Sequence, residues 1–308
     1  MVLPSRRRLA SAPLAILVTA AAFWTQSASA LPLWELTGTR NHIMVLGSIH
    51  LLRAADYPLA PAITQAFDEA DIVLMEIDMD DLDPGISAQT IAALARDGKG
   101  RQLQELLGPN AWRAASAEAG KLGLDLSSLA PFEPWYAAIA VTQLRLAQLG
   151  FDQSLGVEAQ LSTEARKRGK EVRGLETLEG QLRTLDNLSP DAQRAFLQTT
   201  LEEAREAGEV ADEMIAAWKT GDVVTLDADL LESVREQPEM YRALIVQRNE
   251  NFARAIGDLV DDSKDYLIVV GTLHLVGPDS VLSLLGRKGI KSRQIDGGEP
   301  ALTEVERP

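Results

Sequence analysis

Short apolar runs bounded by turn residues recur near both ends of this chain and once in its middle, and helical spacing fills the intervals. "LWELTG" and "NHIMVLGSIH" flank a turn near Gly38 to Asn41 and predict a hairpin. "APAITQAFDEA", after Pro58 and Pro61, predicts a helix, and "DIVLMEID" predicts an apolar strand that opens into the acidic loop "DMDDLDPG". Residues 86–122 read as helix broken near Gly108 and Pro109, and a long helix starts about Pro134. "VEAQLSTEARKRG" is amphipathic, "KEVRGLE" is strand-like, and a helix follows from Thr177. Residues 190–260 are almost wholly helical with a break at Gly221. "YLIVVGTLHL", "GPDSVLSLLGRKG" and "KSRQID" then predict strand, helix and strand. The strand-helix-strand alternation over 43–78 argues for parallel βαβ packing. The expected fold is α/β: a mixed sheet with parallel βαβ units and a large helical insertion, about 86–260 and interrupted by a strand near 170–176, that forms a cap.

Two of these strands carry a histidine each. Residues 43–52, "IMVLGSIHLL", and 267–276, "LIVVGTLHLV", match at Val, Gly, His and Leu and hold similar residues elsewhere. The chain has three histidines, and two of them, His50 and His274, sit in this shared frame. One such strand reads as core; two matched copies point to a shared site. Each histidine falls at or just past the C-terminal end of its strand, where ligands collect in open α/β sheets.

Glu76 closes the apolar "DIVLMEID", and Glu176 closes "KEVRGLE". A carboxylate on an apolar face needs an ion pair, hydrogen bonds or a metal. Two histidines with one or two carboxylates are a metal donor set. A metal with few protein ligands keeps a water of lowered pKa, and a free Glu beside it acts as general base. Gly47 and Gly271 let the backbone approach such a site closely or relieve packing. Ser48 and Thr272 do not form a nucleophile elbow, and the expectation is that they bond backbone or orient a ligand. Asn249 falls on the apolar stripe of Ile245, Phe252, Ile256 and Leu259, with Arg248 at its border, so both need partners, Glu76 or Glu176 among them. The aspartates 78, 80, 81 and 83 lack EF-hand spacing and read as a solvated loop. His42 lies near the hairpin turn, with an exposed role expected.

Composition narrows the setting. Residues 1–30 have Arg6, Arg7 and Arg8, an uncharged apolar stretch and "SASA" before Leu31, the pattern of a secretory signal peptide cleaved after Ala30. No later stretch is apolar for long enough to span a bilayer, so the expectation is an exported protein, periplasmic or secreted, with a single domain over 31–308. The signal segment carries three arginines and no acid, which leaves 27 basic against 45 acidic residues, a net charge of −18. Such a chain is a poor ligand for nucleic acid or anionic lipid. There is no cysteine, which excludes disulfides, thiolate metal sites and a cysteine nucleophile.

The paired "GSIH" and "GTLH", together with "LWEL", "EID", Pro134-Trp135, "GLETLEGQ" at 174–181, Arg248-Asn249 and "HLVGPDSVLSLLGRKG", resemble the TraB/GumN family, which includes the Tiki proteins. The likeness runs in order along nearly the whole chain after residue 30. It implies an α/β fold with a helical insertion and a metal-dependent hydrolase. Carried over by position, it makes His50 and His274 ligands of a divalent ion (Mn, Co or Zn), Glu76 a third ligand or the general base, and Glu176, Arg248 and Asn249 supporting groups. One departure is Glu158 in "GVE", where the family pattern has Asp; if that acid has a role, Glu158 serves it with a longer reach. The wider superfamily also holds erythromycin esterase and a haem-binding, ChaN-like branch. The expected function is a metal-dependent hydrolase, of peptidase type, acting on a peptide or a small ester or amide. The alternatives are a haem- or metal-binding protein without turnover and a metal-free scaffold in which the histidine pair bonds the buried Glu.

Overall fold

The computed structural model describes residues 30–79 and 82–297. The signal peptide expected over 1–30, except its last residue Ala30, and Asp80 and Asp81 of the acidic loop lie outside the described residues. The strands are β1 (Ala30–Thr37), β2 (Ile43–Ser48), β3 (Ile72–Met75), β4 (Glu171–Gly174), β5 (Tyr266–Gly271) and β6 (Lys291–Asp296). They form one mixed six-stranded sheet in the order β4-β3-β5-β2-β1-β6. The hairpin β1-β2 is antiparallel, with Trp34 opposite Val45, and β6 closes antiparallel on β1. β5 lies parallel between β2 and β3, and β4 is parallel to β3.

β2, β3 and β5 are buried at every position, as expected of parallel strands covered on both faces. Their alternation divides the side chains between two cores. Met44, Leu46, Val73, Met75, Leu267 and Val269 face one layer. It comprises α1 (Pro61–Glu69), α5 (Val157–Arg168) and α8 (Ala207–Thr220), through residues such as Phe67, Leu161 and Trp218. Ile43, Val45, Ile72, Leu74, Ile268 and Val270 face the other, with Phe252 of α11 (Gln247–Gly257) and Leu285 of α12 (Val281–Arg287).

The helical insertion supplies α2 (Pro84–Leu94), α3 (Leu103–Lys121), α4 (Pro134–Gln148), α6 (Leu178–Asp186), α7 (Pro190–Glu203), α9 (Val223–Arg235) and α10 (Pro238–Tyr241). Asp83 caps α2 by accepting from Ile86 N–H. α3 bends at Gly108, whose φ of 75° a residue with a side chain adopts only at a cost, just before Pro109. α3, α4 and α7 pack a separate core of their own, including Leu103, Leu107, Val141 and Leu197. A π-helical stretch, Arg242–Val246, leads from α10 into α11.

Because β2, β3, β4 and β5 run the same way, their C-terminal ends share one edge of the sheet. His50, Glu76, Glu176 and His274 all follow those ends.

Candidate functional site

The residues singled out in the sequence converge there. β4 ends at Gly174, so Glu176 stands two residues beyond the strand. It still reaches the centre, where Arg248 of α11 meets it. Arg248 Nη2 donates to Glu76 Oε2 and to Glu176 Oε1, each at 2.5 Å, and Arg248 Nε donates to Glu176 Oε1 at 3.1 Å. Arg248 Nη1 donates to His274 Nε2 at 3.0 Å. Gln181 adds a donor to both carboxylates, at 3.3 and 3.2 Å. The second oxygen of Glu76 accepts from Gly271 N–H at 2.6 Å.

A guanidinium has no acceptor, so His274 Nε2 must carry the lone pair and Nδ1 the proton. Nδ1–H then donates to Asn249 Oδ1 at 2.6 Å, and Asn249 Nδ2 donates to the Asp279 carbonyl at 2.8 Å. Glu76, Arg248, Asn249 and His274 are all buried, and the ring of Phe252 packs edge-on against His274. Burial pushes the His274 imidazole down to about 3, so it is neutral at pH 7. Burial alone would raise Glu76, but the charges His274 and Arg248 would present outweigh it and the carboxyl falls to about 2. Since His274 is neutral at pH 7, Arg248 supplies the standing attraction. Burial pushes Glu176 up, against the pull of Arg248. Asn249 and Arg248 are thus partnered as the apolar stripe required.

His50 is placed differently. Its Nδ1 lies 2.7 Å from Glu158 Oε1, and 56% of its side chain is exposed. Ser48 Oγ donates to the same oxygen. Glu158 is in the first turn of α5, where the helix dipole favours a carboxylate. That helix starts hard against the end of β2: Val157 N–H donates to the Ile49 carbonyl at 3.0 Å. A Cβ on Gly156 would lie 2.1 Å from the His50 carbonyl oxygen, so only glycine fits. Glu158, which the sequence offered a role without a partner, is thus in contact with His50. Its charge raises His50 to about 9. Solvent over the exposed ring screens part of that pull.

The glycines of the two motifs differ in use. A Cβ on Gly271 would stand 3.2 Å from Glu76 Oε1 and 3.7 Å from both His50 Nε2 and the His274 ring, so this backbone lies at the centre of the site. A Cβ on Gly47 would meet Thr272 Oγ1 at 2.9 Å, and the Gly47 carbonyl accepts from Trp218 Nε1 at 2.7 Å. Thr272 Oγ1 donates to the Ser48 carbonyl at 2.9 Å, the backbone role expected of that hydroxyl. Gly47 thus knits the two motifs together away from the open side. His42 is half-buried beside Glu35 at 3.4 Å, not in an exposed role, and lies outside the site.

The fit of a metal can be judged from these donors. His50 Nε2 and one oxygen of Glu76 face the space over Gly271. His274 Nε2, the third expected ligand, lies 3.7 Å from Glu76 Oε1 but takes the hydrogen bond of the Arg248 guanidinium. Among the described residues no group of three or more His, Asp or Glu side chains is arranged to hold a metal ion. In this arrangement the set does not fit a three-ligand metal, because a cation already occupies the third donor. Both oxygens of Glu76 are also engaged, and a carboxyl drawn down to about 2 is a weak base. The group with a base's geometry is His50, held at Nδ1 and open at Nε2.

Four features of the site were not singled out in the sequence: Gln181, the Asp279 carbonyl, the Trp218 clamp on Gly47 and the hydroxyl of Ser48 on Glu158. Gln181 lies in the quoted "GLETLEGQ" run, which gave its only signal.

Several known proteins are similar to this chain in sequence. The chain is 27% identical over 251 residues to the uncharacterized protein YbaP of Escherichia coli K12, which covers 81% of this chain and 89% of that one. It is 23% identical over 307 residues to the metalloprotease TIKI1 of Danio rerio, covering 82% of this chain and 61% of that protein. An uncharacterized protein of Treponema pallidum matches at 24% identity, over 54% of this chain and 50% of its own. No solved structure matches. The TraB/PrgY/gumN family matches residues 32–294, which include at least part of each of the six described strands and both histidine motifs. The chain therefore belongs to the TraB/PrgY/gumN family.

Proposed function

We propose that this protein is an exported hydrolase of peptides or of small esters and amides, with His50 as general base. The observation that carries this reading is the His50–Glu158 pair, fixed at Nδ1 and facing the site with Nε2. A base held by a third group is the arrangement that proton transfer requires. Neutral His50 takes a proton from water at Nε2, and the resulting hydroxide attacks the substrate carbonyl. The imidazolium, stabilised by Glu158, returns that proton to the leaving group. Glu76, Arg248 and Glu176 form the ionic floor beneath this step, with neutral His274 bonded to it, and Glu76 holds the Gly271 N–H. The carboxylate on His50 Nδ1 and the guanidinium on His274 Nε2 favour proton transfer over haem ligation. Export rests on the leader-like composition of residues 1–30.

A metal-assisted form of the same reaction is the second reading, favoured by the likeness to a protein named as a metalloprotease. His50, Glu76 and His274 would hold the ion, which when bound lowers the pKa of a water. Arg248 would have to release His274 Nε2 first. The test is hydrolysis of p-nitrophenyl acetate and of a quenched peptide library by the purified protein, wild type beside His50→Ala and Glu158→Gln. Each is assayed after chelation and after adding back Mn, Co or Zn. Turnover that survives chelation and is lost in His50→Ala supports the first reading. Turnover only after add-back supports the second. No turnover under any condition sinks both.

A further inference from the structure

Beside His50 lies a cavity of about 160 Å³ whose walls are almost entirely apolar, among them Ile49, Leu51, Phe151, Leu226 and Leu273. Gly271 and Thr272 of the second motif form its edge. An apolar cavity of this size holds one benzene-sized group. Leu146, Ala211 and Met214 line it and also line a second, larger cavity of about 660 Å³ between α4, α7, α8 and α9. That volume is typical of a ligand site. The two spaces thus share these three wall residues, so the larger one lies next to the cavity beside His50.

The chemistry changes from one cavity to the other. Glu203, Glu206, Glu213, Glu232 and Glu236 line the larger cavity, and among the described residues its only basic side chain is Arg145. Arg145 is already committed to the Ala204 carbonyl and to Gln148. Among the described residues none of these glutamates makes an ion pair with a basic side chain. Five carboxylates without a basic partner around one space favour a cationic occupant and repel an anionic one.

We infer that the two cavities form one substrate tract. The small cavity takes a bulky apolar side chain next to the scissile bond, and the larger takes the basic stretch of peptide that continues from it. This inference rests on the hydrolase reading for its scissile bond and names the substrate class: an amphipathic basic peptide. Neither cavity is formed by the residues that hold the ionic floor.

The test uses three fluorescein-labelled peptides of equal length: one with a central phenylalanine followed by lysines, one with glycine for the phenylalanine, and one with glutamates for the lysines. Binding is measured by anisotropy on full-length His50→Ala, and cleavage on wild type with and without Mn, Co or Zn. The first peptide is expected to bind at least about tenfold tighter than either control. Ala211→Trp fills the junction and should erase the phenylalanine preference; Met214→Trp does the same where the first variant fails to fold. Glu213→Gln with Glu232→Gln should reduce the lysine preference by about threefold. Equal binding of the three peptides, no binding of any, or preferences that survive the filling variants would overturn the tract. Cleavage with no such selectivity would also overturn it, and would leave the hydrolase reading intact. Selective binding without cleavage under any condition would do the reverse.

Discussion

Replacing Arg248 with methionine tests whether the centre is held by charge. The guanidinium is about one-tenth exposed and contacts Glu76 and Glu176 at 2.5 Å each, with those side chains 8% and 17% exposed. At an effective dielectric near 20, a pair of charges about 4 Å apart gains about 4 kcal/mol. Desolvation offsets much of that gain in the intact site. In the variant it does not, because two carboxylates stay behind without their cation, a change that costs about 3–5 kcal/mol. For a domain of this size the melting temperature should fall by on the order of 10 °C. Urea unfolding at pH 7 gives the free energy directly.

The pH dependence identifies the cause. In wild type the Glu76 pKa is lowered to about 2 from 4.5, so its stabilisation is present above pH 4.5 and is lost as pH falls towards 2. Without Arg248 the folded-state pKa of both carboxyls lies above the unfolded value. Protonation then relieves the variant as pH falls through that raised value. The gap between variant and wild type should therefore be widest at pH 7 and shrink towards pH 4. A loss below about 1 kcal/mol, or a gap that does not change with pH, would refute the charge argument and assign Arg248 to packing.

The chain's three histidines make further tests direct by NMR. His50 should titrate well above 6.5, and Glu158→Gln should bring its midpoint down by at least about one unit; an unmoved midpoint would rule out the pair. If His50 is the base, kcat/KM should rise with pH towards about 9 in wild type, and the rise should move to lower pH in Glu158→Gln. His274 should remain neutral, protonated at Nδ1, between pH 5 and 9. Because its folded pKa is lowered to about 3, stability falls as pH drops from 6.5 towards 3; Asn249→Leu strands Nδ1–H and should cost about 1–3 kcal/mol at pH 7 by urea unfolding. Gly156→Ala forces a Cβ onto the His50 carbonyl and should cost about 3 kcal/mol by the same measure, whereas Gly120→Ala, with open space around it, should not. N-terminal sequencing of protein recovered from outside the cytoplasm should begin at Leu31 if residues 1–30 are a signal peptide.

Much of this site could be read from the sequence because parallel strands impose it. The repeated Gly-x-x-His after an apolar run fixes both the strand end and the edge on which the histidine stands, and β2 and β5 are indeed neighbours. Glu76 and Arg248 were legible for a second reason: a charge in an apolar period must find its opposite, and these two find each other. Glu158 was harder. It sits on a solvent-leaning amphipathic helix, and only the close approach of Gly156 to His50, a tertiary contact, brings it to the ring. The substrate tract was not legible at all. Leu146, Ala211, Met214 and Leu226 carry the ordinary spacing of core helices, and nothing in that spacing marks where two helices fail to close on each other. The roles expected of His274 and Glu76 turned on a neighbour's orientation: Arg248 could have faced solvent, but it points inward and takes the imidazole nitrogen and a carboxylate oxygen for itself.

The position of β5 has a consequence for how the molecule comes into being. Its two partners, β2 and β3, emerge from the ribosome early, yet each waits for a strand that begins at Tyr266. Until then a nascent chain carries two apolar strand edges that cannot pair with one another in their native order, and such edges are templates for aggregation. Pairings this distant in sequence also fold slowly. The sheet cannot lock before synthesis is nearly finished, because β5 is the strand that joins β2 to β3. That dependence also makes a chain that ends prematurely, before β5, a hazard that a cell would need chaperones or proteases to clear.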